Sequence, residues 1–390
     1  ILGGNGNDEL WGGDEDDSVV GGNGNDELYG YYDDDTLVGG EGNDYLSGGE
    51  DNDSILGGNG NDYAYAGYDN DTVAGGDGDD TLFGDEGDDS VVGGDGDDTL
   101  FGEQGADTIE GGNGDDSIFA GFANDFAQGG NGDDSLWGGE DNDWLEGGEG
   151  NDKLDGDWEK SFDTIGGYGA YGYDTLIGGN GDDTLWGGQS SDSLVGGAGD
   201  DSLMGDYEEY GYQGYDTIEG GDGNDVAYGD GNDDTIDGGN GDDSLFGGSG
   251  EDSVLGGAGD DSLYGNDGED SLYGGAGNDL MGGGDEDDTL FGENGADTIL
   301  GGEEEDVIYG GNGNDSLFGG YAYGPDLDDD TYGDSIFGGN GQDQIFGTED
   351  SDLLYGGEGN DTIETGEVYG ESLFGDSIWG GTGADEIFGG

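Results

Sequence analysis

Along most of the chain a single apolar residue recurs every nine positions: Leu10, Val19, Leu28, Leu37 and Leu46 begin the series, and Leu82, Val91 and Leu100 continue it. Side chains on a strand alternate between its two faces. One apolar residue flanked by Ser, Thr or an aromatic ring therefore predicts a three-residue β-segment with the apolar side chain facing inward. Each segment runs into a glycine pair, and an aspartate stands two places before the next apolar residue, as in Gly93–Phe101, GGDGDDTLF. Glycine supplies backbone conformations that a residue with a Cβ avoids. The unit is thus a glycine turn joined to a very short strand.

From Gly3 to Asp155 seventeen such units follow one another without a slip of register. After Asp155 the step breaks four times, at 156–177, 205–219, 319–337 and 365–379. Forty D-x-U units occur, where U is the apolar residue, and all forty keep both the Asp and U, whereas the glycine at the fourth place is often lost. A short fixed period means stacked repeats rather than several globular domains, so residues 1–390 read as one continuous array. A second period of eighteen is also visible. Every odd unit among the first seventeen carries the full G-G-x-G-x-D turn and no even unit does; the even ones read GGDEDD, GYYDDD, GGEDND, AGYDND and similar. Two units per coil place full turns on one edge and altered turns on the other. Counting 156–177 as a single half-coil keeps that division and puts all four insertions on the altered edge.

The form G-G-x-G-x-D-x-U-x, as in GGNGNDELW and GGDGDDTLF, resembles the RTX family, the haemolysin-type calcium-binding repeats of secreted bacterial toxins, proteases, lipases and adhesins. The resemblance covers essentially the whole chain. It implies an all-β fold, a right-handed parallel β-roll or β-helix solenoid with two repeats per coil and about twenty coils. It also implies calcium ions between turns of successive coils, held by turn carbonyls and by the sixth-place Asp. Carried onto this sequence, the metal-binding carboxylates are Asp8, Asp17, Asp26, Asp35, Asp44, Asp53, Asp62, Asp71, Asp80, Asp89, Asp98, Asp116, Asp134, Asp143 and Asp152 in the unbroken part. Beyond it they are Asp183, Asp201, Asp225, Asp243, Asp252, Asp261, Asp279, Asp288, Asp315, Asp343, Asp361 and Asp385. The turns GEQGAD, GGQSSD and AGFAND make Asp107, Asp192 and Asp125 poorer ligands. Proteins of the family are exported without an N-terminal signal, so the resemblance further implies a secreted or cell-surface location.

Composition and charge sharpen this picture. Two lysines, Lys153 and Lys160, stand against 102 acidic residues, giving a net charge of −100 that excludes nucleic acid and anionic membrane as partners and calls for cations. Neither Cys nor His is present, which excludes zinc sites, disulfides, thiol nucleophiles and imidazole bases. No apolar run is long enough to span a membrane as a helix. No acid–base pair stands apart from the repeat, so enzymatic chemistry is not expected. Oxygen donors alone suit a hard cation such as calcium. Same-edge Asp side chains in neighbouring coils lie about 5 Å apart, where repulsion is roughly 3 kcal/mol per pair at an effective dielectric near 20. Composition by itself favours disorder, and the bare carboxylate row opposes folding, so cation binding and folding are expected to be one event.

The ninth place carries a second pattern. On the full-turn edge, counting Gly292 to Leu300 as its one worn unit, it is aromatic in fourteen of twenty units, including Trp11, Tyr29, Tyr65, Phe83, Phe101 and Phe119. With U inward these rings face outward as a ladder, which either stacks to stabilise one rod or forms a mating surface. Ser or Thr dominates the seventh place. The insertions, rich in Tyr and Gly (Tyr168, Tyr171, Tyr173, Tyr207, Tyr210, Tyr212, Tyr215, Tyr321, Tyr323) and holding the one proline, Pro325, read as surface loops. Two functions fit. The first is an extracellular calcium-dependent structural rod forming a filament, surface-layer or adhesin segment; the second is the calcium-folded tail of a secreted enzyme or toxin whose catalytic part lies elsewhere. The chain opens and closes in mid-repeat, and unblocked strand edges there predict self-association end to end, with lateral pairing through the rings second.

Overall fold

The structure, a computed structural model, describes residues 1–157, 172–206, 213–320, 333–348, 351–365 and 375–389. Two compact units are present, Ile1–Ala198 and Gly199–Gly390. In the first, strands that follow full turns pair with one another: Thr81–Glu86, Thr99–Gln104 and Ser117–Phe122 are parallel and in register, with Leu82 opposite Leu100 and Leu100 opposite Ile118. Strands that follow altered turns form a separate sheet, in which Thr72–Asp77, Ser90–Asp95 and Thr108–Asn113 set Val73 opposite Val91 and Val91 opposite Ile109. Successive strands therefore alternate between two parallel sheets, and partners lie eighteen residues apart.

The second unit repeats the scheme. Val226–Gly231, Ser244–Ser249 and Ser262–Asp267 form one sheet, and Ser253–Ala258, Ser271–Ala276 and Thr289–Asn294 the other. No helix occurs among the described residues. The fold is an all-β parallel β-solenoid of the β-roll kind.

The strands are longer than three residues. Most run six, from the seventh place through the third place of the next unit, because the ladder continues past U: Asp85 lies opposite Glu103 and Glu86 opposite Gln104. Identical neighbours in every coil let the backbone keep pairing through the glycine pair, which only bends it. The U side chains form the core, and Leu82, Val91, Leu100, Ile109 and Ile118 are fully buried between the sheets. Each contributes about 2 kcal/mol relative to an exposed position.

Register survives the first insertion. Trp144–Glu149 pairs with Thr175–Asn180, and the backbone N–H of Asp143 donates to Asp174 Oδ1 at 2.7 Å, so the roll resumes in register at Asp174. Of the residues singled out in the insertions, Tyr173 and Tyr215 are exposed. Tyr168, Tyr171, Tyr207, Tyr210, Tyr212, Tyr321, Tyr323, Pro325 and Lys160 lie outside the described residues.

The ninth-place rings do form ladders. In the first unit Tyr65, Phe83, Phe101, Phe119 and Trp137 stack face to face with successive centroid separations of 4.6, 4.5, 4.9 and 4.4 Å. In the second unit Tyr228, Phe246 and Tyr264 stack on one sheet at 4.8 and 5.2 Å. Tyr273, Phe291, Tyr309 and Phe337 stack on the other at 5.0, 4.9 and 5.0 Å.

Candidate metal centre

The sixth-place Asp ends each turn just before its side chains begin to alternate, and the coil ladder fixes it from three directions. The N–H of Asp80 donates to Asp98 Oδ1 at 2.7 Å, and that of Asp98 to Asp116 Oδ1 at 2.8 Å. The Asp80 carbonyl accepts from the N–H of Thr99 at 2.9 Å. One carboxylate oxygen is thereby used up within the fold. The other is buried and has no hydrogen-bond partner, as at Oδ2 of Asp62, Asp80, Asp98, Asp116, Asp134 and Asp152. A buried unpartnered carboxylate oxygen costs several kcal/mol, and here the same atom recurs coil after coil.

The first-place glycine creates the space around that oxygen. A Cβ at Gly93 would meet both Asp98 Oδ2 and the carbonyl oxygen of Gly111 one coil on. Carboxylate and carbonyl oxygens of adjacent coils therefore converge where no side chain stands. Among the described residues no group of three or more acidic side chains converges on one point. A cation in these turns thus needs backbone carbonyls beside the single carboxylate.

Electrostatics shows what the bare row costs. Burial pushes Asp98 up to about 6 and Asp80 and Asp116 to about 7, against a backbone N–H bond that lowers each and neighbouring carboxylates that raise them. On the altered edge burial takes Asp71 and Asp107 to about 8 and Asp143 and Asp234 to about 9. Without a cation these groups resist carrying charge at neutral pH.

A family model, RTX calcium-binding nonapeptide repeat (4 copies), matches residues 1–28, 29–64, 65–100, 92–127, 128–159, 168–203, 210–245, 246–281, 282–317, 328–367 and 373–390. The chain belongs to the RTX family. None of the curated proteins compared with it matches. RTX repeats bind calcium, and the donors found here fit that ion: hard oxygens only, an orphaned carboxylate oxygen in turns such as those of Asp62, Asp80, Asp98 and Asp116, and carbonyls beside it. Asp98 and its equivalents with the turn carbonyls would hold it, and the bound ion would supply the positive charge that the buried oxygen lacks.

The RTX turns place the sequence-predicted carboxylates in one recurring position. Asp26, Asp35, Asp44, Asp53, Asp62, Asp71, Asp80, Asp89, Asp98, Asp116, Asp134, Asp143 and Asp152 are buried, as are Asp183, Asp201, Asp225, Asp243, Asp252, Asp261, Asp279, Asp288, Asp315, Asp343 and Asp361. Asp8, Asp17 and Asp385 are partly exposed. Asp107, Asp125 and Asp192 occupy the same place, each with Oδ1 accepting at 2.8 Å from the N–H of the preceding coil's Asp. So do Asp174, Asp234, Asp270 and Asp297, which the turn letters alone passed over. The D-x-U signal marks all of them; the condition of the turn in front does not decide where the carboxylate goes.

Altered RTX turns keep the positive φ of full ones at the fourth place, at smaller angles. Where the fourth glycine is replaced, the substitute still takes positive φ: Glu15 at 81°, Asp51 at 75°, Asp69 at 73° and Glu304 at 75°. Side chains disfavour that region by roughly 1–2 kcal/mol. The fourth-place carboxylate also does structural duty, since the N–H of Glu15 donates to Asp33 Oδ2 at 2.9 Å.

Three buried carboxylates, Asp155, Asp157 and Asp206, were missed because they lie outside the sixth place. Asp157 and Asp206 stand where a second glycine is expected, at the points where the first two insertions leave the roll. Gly214, where the chain returns, donates its N–H to Asp206 Oδ1 and Oδ2 at 3.1 and 2.9 Å. Gln189 donates its N–H to Asp157 Oδ2 at 2.7 Å. Both insertions open G-D-aromatic-E and close G-Y-D-T, a likeness legible in the letters at 156–159 and 172–175 and at 205–208 and 214–217.

Proposed function

We propose that this protein is a non-enzymatic, calcium-dependent structural element of the extracellular space, a β-roll rod that serves as a segment of a filament, surface layer or adhesin. The observation that carries the proposal is the row of buried Oδ2 atoms without partners. A fold that leaves one such atom in turn after turn is incomplete without cations, and extracellular calcium is abundant enough to fill it. RTX repeats are typical of secreted bacterial proteins, which agrees with this location. Residues 1–390 as one continuous array, with the sixth-place Asp residues as ligands and rods associating with one another, belong to the same proposal. No site for catalysis enters it.

The test is circular dichroism and hydrodynamic size across a metal titration. In excess chelator at neutral pH the chain should be expanded and lack β signal, and millimolar calcium should collapse it cooperatively. Magnesium should do so poorly because it demands a tighter octahedral shell. A compact β-rich state that persists in chelator at neutral pH would sink the proposal.

A further inference from the structure

The acidic residues of this chain are not spread evenly over its surface. In the first unit, the sheet holding Thr81–Glu86, Thr99–Gln104, Ser117–Phe122 and Ser135–Glu140 turns two rows outward between Phe83 and Trp137. One row is Thr81, Thr99, Ser117 and Ser135; the other is Phe83, Phe101, Phe119 and Trp137, and all eight side chains are half-buried. None is charged, in a chain with 102 acidic residues. The nearest carboxylates follow these rows in the same strands, at half-buried Asp85 and Glu103 and exposed Glu86, and others lie in the turns, as at exposed Asp97. The neutral strip continues to Tyr65, whose hydroxyl is pushed up to about 12 by its hydrogen bond with Tyr63 and by burial.

We infer that this neutral ring-bearing face docks a second copy of the same chain. The rings stand parallel within 4–9° at separations of 4.5 and 4.9 Å, so the surface is a comb with one tooth per coil. Only a partner with the same axial repeat places side chains in every gap, and another parallel solenoid has that repeat. Charge selects in the same direction. A cationic partner is drawn to the acidic edges and away from this face, whereas a second copy brings an equally neutral face, its edges neutralised by the same calcium. The contact is isologous, related by a two-fold axis. Five coils at about 4.8 Å by three strand residues give about 240 Å² per partner, well under the roughly 800 Å² of a standard interface. One such face therefore makes a weak contact. The second unit carries a ladder of its own on the other sheet, at Tyr273, Phe291, Tyr309 and Phe337.

The inference rests on the calcium-loaded fold proposed above. It is tested with the full chain in calcium by sedimentation velocity over a concentration series, after circular dichroism has shown β signal for each variant. Thr99→Glu with Ser117→Glu puts charge into the face while keeping every ring; Thr72→Glu with Ser90→Glu does the same on the other sheet. Wild type and the second variant should associate as concentration rises, and the first should need at least about tenfold more protein, because like charges would meet across the contact. Association of the first variant at wild-type concentrations overturns the inference. So does a calcium-folded wild type that stays monomeric, or a monomer that binds a neutral polysaccharide matrix through this face. A wild type with no calcium-induced β signal overturns this inference together with the calcium proposal, and the two failures are thus told apart.

Discussion

Lowering the pH should partly replace calcium. Asp116 is held by burial at about 7 against an ordinary value of 3.8, so the folded state takes up a proton that the unfolded chain releases. A carboxyl group whose folded pKa is raised adds stability below its unfolded pKa, and that stability is lost as pH rises through the folded value. Between pH 7.5 and 5.5 a group at about 7 goes from mostly ionised to mostly protonated in the folded state and stays ionised in the unfolded chain. The metal-free fold therefore gains about 1–2 kcal/mol per such group over that interval. Asp62, Asp80, Asp116, Asp152, Asp225 and Asp261 all stand at about 7, and together they contribute roughly 6–12 kcal/mol. Groups near 8 and 9, such as Asp107 and Asp143, are protonated in the folded state at both pH values while the unfolded chain stays ionised, so each adds about 2–3 kcal/mol more over the same interval. Circular dichroism in excess chelator should show little β structure at pH 7.5 and a clear rise at pH 5.5. A metal-free signal independent of pH, or stronger at pH 7.5, would refute the reasoning, because the buried oxygens would then not be what holds the bare chain open.

Three further outcomes follow from single turns. Asp98→Ala should raise the calcium midpoint more than Asp107→Ala, since the turn ahead of Asp107 lacks the full glycine set; equal shifts in a calcium titration would mean that the two edges are energetically alike. Gly93→Ala should also raise the midpoint, because the added methyl meets Asp98 Oδ2 and the Gly111 carbonyl; a neutral substitution would show that the close approach is dispensable. Asp206→Ala removes both acceptors of the Gly214 N–H and should destabilise the roll by about 1–3 kcal/mol. Faster proteolysis between 206 and 214 at unchanged calcium midpoint would report it, and wild-type cleavage rates would argue against a holding role.

The sequence made the core and the position of the carboxylates legible because both recur at a spacing that only stacked coils explain. Leu82, Val91 and Leu100 were identifiable as inward from their nine-residue recurrence two places after an Asp, and each is fully buried. Strand length was not legible: glycine reads as a breaker, yet the ladder carries on through Asp85 and Glu86 because the neighbouring coil offers the same backbone. Altered turns such as that of Asp51 read as different because the letter changes, whereas the left-handed conformation persists at φ 75°. Asp157 and Asp206 escaped notice because a carboxylate at the second place differs from a repeat Asp only in which N–H it faces. Ring stacking, in contrast, followed directly from the eighteen-residue spacing of Phe83, Phe101 and Phe119.

The manner in which the first two insertions begin and end has a consequence for how such a chain changes over generations. In a globular domain a change in segment length is transmitted to whatever packs against it. Here Thr175 meets the Asp143 carbonyl at 2.9 Å as if nothing had intervened, so the neighbouring coils are indifferent to what lies between departure and return. Length and composition on that edge are therefore free to drift or to be replaced by design, while the Asp and U of every coil stay answerable to the coils before and after them.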